Sequence, residues 1–72
     1  MSASLRVMQR RATLHLETAR AWRRLAQVAR QTPGMPARVA LACEQRMDAA
    51  LRAHRVAAAG LAAQAEKGAG AS

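Results

Sequence analysis

Both prolines of this chain lie within five residues of each other, in Thr32-Pro33-Gly34-Met35-Pro36, and they constrain the fold more than any other feature. Proline has no amide donor and pushes the preceding residue out of helical conformation, so a helix running into this segment ends near Gln31. Gly34 supplies a residue able to turn left-handed, and Pro36 suits the first turn of a new helix. Either side of the break is rich in Ala, Leu, Arg, Gln, Glu and Met, all strong helix formers. The predicted architecture is all-α: a helix over residues 4–31, a loop over 32–36 and a second helix over 36–66. A Gly-containing flexible tail is expected over 67–72. So short a loop makes the helices antiparallel neighbours, and residues 1–66 form one helical hairpin.

The apolar spacing agrees. In the first segment Leu5, Met8, Ala12, His15, Ala19, Trp22, Ala26 and Ala29 recur at alternating intervals of three and four, a heptad seam. A second row, Val7, Leu14, Ala21, Leu25 and Val28, lies about 100° further round the same helix, widening the apolar arc beyond what one neighbouring helix covers. Arg6, Arg10, Thr13, Glu17, Arg20, Arg24, Gln27 and Gln31 form the polar side. In the second segment the seam is Ala40, Cys43, Met47, Ala50, His54, Ala57 and Leu61, with Arg38, Gln45, Asp48, Arg52 and Arg55 on the polar side. Spacing alone leaves open which apolar row of the first helix closes the hairpin.

Composition explains why that surplus row matters. Of the 72 residues, 20 are Ala, and there is no Phe or Tyr. An alanine seam allows close helix approach, but each methyl removes little area from water. A domain of this size hides only roughly 60% of the surface its unfolded chain exposes. A stable state is therefore expected to need a second protein, helical in kind, with a hetero-complex favoured over a homo-oligomer. Leu14, Trp22, Leu25 and Val28 are the candidate partner-binding residues. Trp22, the sole aromatic, stands in the seam itself, so it serves either as hairpin core or as a binding anchor.

No enzyme is expected. The sequence has no paired carboxylates at useful spacing, no nucleophile with a neighbouring base and no Gly-rich phosphate loop. His15 and His54 read as packing residues of the seams, and Cys43 as a small apolar one; neither a metal nor a cofactor is expected. A single cysteine excludes an intrachain disulfide and suits a reducing, cytoplasmic setting. The longest apolar run, Val56 to Ala63, is too short to span a bilayer. The Arg-rich first thirty residues resemble a transit peptide in composition, but the heptad register runs through them and on beyond.

Charge leaves one alternative. Twelve Lys+Arg oppose four Asp+Glu, a net charge of +8, and eleven of the bases are Arg. Arg6, Arg10, Arg20 and Arg24 on one helix side are candidate contacts for nucleic acid or for an acidic protein. Interruption by Glu17 and the lack of stacking aromatics make a solvated face the leading role and nucleic acid the lesser one.

A helical hairpin of this size resembles the small co-chaperones of type III secretion needle subunits (YscE/EscE-type). The matching stretch runs from Leu14 to Leu61. It contains the helix end Ala29-Arg30-Gln31, the loop Thr32-Pro33-Gly34-Met35-Pro36, and a second helix with Leu51 and Val56-Ala57-Ala58-Ala59-Gly60-Leu61. The resemblance implies a cytoplasmic hairpin that packs on a helical-repeat chaperone, the pair keeping the needle subunit soluble. Needle subunits are themselves similar hairpins, and Pro33-Gly34-Met35-Pro36 fits their Pro-x-x-Pro loop. They carry an apolar C-terminal segment, where this chain has the polar Gln64-Ala65-Glu66-Lys67-Gly68-Ala69-Gly70-Ala71-Ser72. That difference favours the co-chaperone over a self-assembling subunit.

Overall fold

The computed structural model describes residues 2–70, which form two helices, α1 (Ser2–Gln31) and α2 (Ala37–Gly70), packed as an antiparallel hairpin. The break falls where the prolines require it. Gly34 has φ +81°, and the Met35 amide donates to the Thr32 carbonyl at 3.3 Å. With Pro33 second and a left-handed glycine third, this is a type II β-turn. Thr32 also closes the end of α1. Its amide donates to the Ala29 carbonyl at 3.4 Å and its hydroxyl to the Val28 carbonyl at 2.6 Å, satisfying acceptors that a helix end leaves unpaired. Pro36 stands one residue before α2, its carbonyl accepting the Val39 amide at 3.0 Å.

Residues 67–70, expected in a loose tail, instead continue α2. Glycine costs a helix about 1 kcal/mol relative to alanine but does not bar it as proline does, and the Lys67 cation meets the negative end of the helix dipole. Residues 71–72 of that expected tail lie outside the described residues.

The row that closes the hairpin is the alanine-rich one. Ala12, Ala19, Ala26 and Ala29 of α1 are buried against Ala40, Cys43 and Ala50 of α2, with Met8, His15, Trp22, Met47, His54, Ala57 and Leu61 half-buried along the same line. Leu5, expected in this seam, is exposed near the open end of the hairpin, where α2 continues mostly in alanine. Contacts between the helices step down one as they step up the other. Arg30 pairs with Glu44, the Arg46 guanidinium lies 5.2 Å from the Trp22 ring centroid, and the His54 Nδ1–H donates to the Ala12 carbonyl at 2.7 Å. The Arg30–Glu44 pair is largely solvated and contributes at most about 1 kcal/mol.

Gly60 interrupts the middle of α2. A Cβ built there meets only the Met8 Cε, at 3.6 Å, an ordinary van der Waals distance. Gly60→Ala is therefore expected to stabilise the hairpin by about 0.5–1 kcal/mol through helix propensity and lowered unfolded-state entropy. A urea titration followed by circular dichroism measures it.

The hairpin is a single layer. Its principal extents are 59 × 16 × 12 Å and its radius of gyration is 16.6 Å, against about 11 Å for a compact domain of this length. The accessible surface is 5767 Å², where a compact monomer of this mass exposes about 4,300 Å². Two helices side by side bury one stripe each; everything else on them faces outward.

Candidate protein-docking interface

What faces outward is not uniformly polar. The second row of α1 lies wholly outside the hairpin: Leu14 is 47% exposed, Leu25 50% and Val28 58%, and Val7 and Ala21 are exposed with them. Together with Arg11 and Thr18 these residues run at intervals of four and three from Val7 to Val28, a complete second heptad seam on one helix. Thr18 does not break its apolar character with a free donor, because its hydroxyl donates to the Leu14 carbonyl at 2.8 Å.

α2 extends this surface. The Trp22–Arg46 contact, and the Met8 Cε lying 3.6 Å from where a Gly60 Cβ would stand, place the Arg46 and Gly60 side of α2 along the same flank of the hairpin as the second row of α1. In heptad register that side of α2 is Val39, Ala42, Arg46, Ala49, Ala53 and Val56, leading on to Gly60 and Ala63. Val56 is the most open of the large apolar side chains, at 74%. The Arg30–Glu44 pair marks the other flank. The hairpin thus has one broad apolar face, built from both helices, with a shallow valley between them.

Trp22 forms part of the floor of that valley. It is half-buried in the closing seam, and its ring carries the Arg46 guanidinium. A cation over an indole contributes about 0.5–1 kcal/mol at an exposed site and more once water is excluded. Of the four residues expected to bind a partner, Leu14, Leu25 and Val28 therefore project from the face, while Trp22 lies at its base and serves the hairpin core at the same time.

Charge is divided between the two faces. Arg6, Arg10, Arg20 and Arg24 are all exposed on the polar side of α1, interrupted by Glu17. Every acid of the chain, Glu17, Glu44, Asp48 and Glu66, falls outside the heptad positions that make up the apolar face. The only charges in that face's own register are Arg11, Arg46 and Lys67.

The α2 half of the face was not recognised from sequence. Its signal was present in the three-four spacing of Val39, Ala42, Arg46, Ala49, Ala53 and Val56, but alanine and glycine dilute it. Its meaning also depends on which side of α2 adjoins the second row of α1.

The arrangement offers an apolar surface for packing. Among the described residues no group of three or more His, Cys, Asp or Glu side chains could hold a metal ion. His54 is engaged with the Ala12 carbonyl, and Cys43 is buried in the seam. No helix among the described residues is long and apolar enough to cross a membrane. No family model, curated protein or solved structure matches the chain.

Proposed function

We propose that this chain is a non-catalytic helical-hairpin adaptor or co-chaperone that binds and stabilises a partner protein. The observation that carries the reading is the inversion of its apolar residues. The closing seam is made mostly of alanine, while Leu14, Leu25, Val28 and Val56 stand exposed on one face. Contiguous apolar surface of this kind marks an interaction site more often than tolerated exposure. Covering it would bury the large aliphatic side chains that the hairpin alone leaves in water. The resemblance to needle-subunit co-chaperones of type III secretion gives this reading its narrower form, a cytoplasmic hairpin acting beside a helical-repeat chaperone. The size and loop of the hairpin agree with that form.

A tagged pull-down from the native host, with and without nuclease, tests it. A stoichiometric, nuclease-resistant protein partner is the expected result. The second reading, a small basic nucleic-acid-associated protein, draws on the exposed set Arg6, Arg10, Arg20 and Arg24. In that case the retained material is nucleic acid, and log affinity falls with log salt with a slope of about −0.9 per duplex phosphate contacted. A self-assembling hairpin subunit would instead form long polymers as the isolated chain.

A further inference from the structure

We propose that the occupant of the apolar face is an acidic amphipathic helix of another protein, laid along the valley between α1 and α2 to complete a three-helix bundle. This rests on the adaptor reading and names the chemistry of the partner. Charge complementarity selects the occupant. The face carries Arg11 and Arg46, with Lys67 further along α2, and no carboxylate of the chain shares its register. An apolar ligand flanked by Glu or Asp brings each of these cations an opposite charge, and Arg accepts carboxylates in bidentate geometry. A second copy of the chain would do the reverse. It would set Arg11 and Arg46 of two molecules against one acid-free interface and join two bodies each of net charge +8. Like charges placed opposite each other across an interface select against that pairing.

The geometry also sets the size of the ligand. The exposed seam runs from Val7 to Val28, which at 1.5 Å per helical residue is about 32 Å, or three heptads of a facing helix. The ligand would lie over Trp22 and close the Arg46 guanidinium between the indole and its own carboxylates.

Trp22 is the only tryptophan, so its fluorescence reports occupancy directly. The experiment titrates the full chain with a synthetic 21-residue heptad peptide having Leu in its seam and Glu at the flanking positions. A peptide with Lys at those positions is titrated in parallel. The Glu peptide is expected to shift Trp22 emission to the blue and to bind at least tenfold more tightly than the Lys peptide. The double variant Arg11→Glu/Arg46→Glu is expected to lose at least tenfold in affinity for the Glu peptide. Arg38→Glu/Arg52→Glu, with the same charge change at exposed positions on the polar side of α2, stays within threefold of the parent. Circular dichroism checks each variant, and Arg11→Glu alone, away from the closing seam, gives the same comparison should Arg46→Glu unfold the hairpin.

Equal losses in the two double variants would reduce the effect to diffuse charge attraction and overturn the proposal. So would no binding of the Glu peptide up to millimolar concentration, equal binding of the two peptides, or a self-associated species by sedimentation that Leu25→Asp dissolves. The adaptor reading fails separately, when the wild-type chain retains no protein from its host. A host partner held equally by wild type and by Arg11→Glu/Arg46→Glu overturns the acidic-helix proposal and leaves the adaptor reading standing.

Discussion

Leu25→Asp is expected to abolish retention of the protein partner in a pull-down while leaving the helical content of the isolated chain nearly unchanged. The two effects separate because Leu25 contributes little to the hairpin itself. It is 50% exposed, and the substitution costs α1 at most about 0.7 kcal/mol in helix propensity. At the centre of a desolvated interface the same change removes a large apolar contact and forces a carboxylate out of water. Positions of that kind are worth 2 kcal/mol or more, so affinity should fall at least about thirtyfold. Leu25→Lys separates packing from charge. If the apolar contact is the main term, both variants lose the partner. Partner retention by Leu25→Asp, with the hairpin intact, would remove the face from consideration.

The second large effect is on folding, and it comes from an alanine. Ala19 is 2% exposed at the middle of the closing seam. Ala19→Asp places a carboxylate at a position only 2% exposed to water, and a buried charge of that kind destabilises by about 3 kcal/mol or more. In a hairpin whose core is mostly methyl groups, that is enough to abolish cooperative unfolding and most of the helical signal at 25 °C. The control lies two residues away. Ala21→Asp makes the same substitution at an exposed position of the same helix, with the same cost in propensity. It should keep the hairpin folded. A circular dichroism melt that loses Ala21→Asp and keeps Ala19→Asp would mean that the hairpin closes through the other row.

These two variants touch the two seams of α1, which differ in how far the sequence discloses them. The polar side was legible without ambiguity, since Arg6, Arg10, Thr13, Glu17, Arg20, Arg24, Gln27 and Gln31 are all exposed where the spacing puts them. The seam of α2 was legible too, from Ala40 through Leu61. Leu14, Leu25 and Val28 could be singled out because one neighbouring helix covers only part of so wide an arc. Trp22 could not be assigned to core or interface, and it is half-buried at the junction of both. The contribution of Arg46 and Val56 was invisible, because an apolar row of alanines and glycine on α2 has no meaning until its side is matched to α1.

The sequence by itself determined the two helices as far as residue 66, the place of the turn and the antiparallel pairing, but not the continuation of α2 through residues 67–70. These follow from local chemistry: the missing amide of Pro33, the left-handed freedom of Gly34 at φ +81°, and helix propensity on both sides. Only the tertiary structure decided which of two rows with the same period faces α2. Periodicity is degenerate on that point, and residue size alone would have favoured the Leu and Val row, which removes more area from water. The short connection from Thr32 to Pro36 limits where α2 can pass relative to the last turn of α1. There the buried Ala29 and Ala40 let the backbones approach closely. Small residues therefore close the hairpin, and the larger ones are left on its surface.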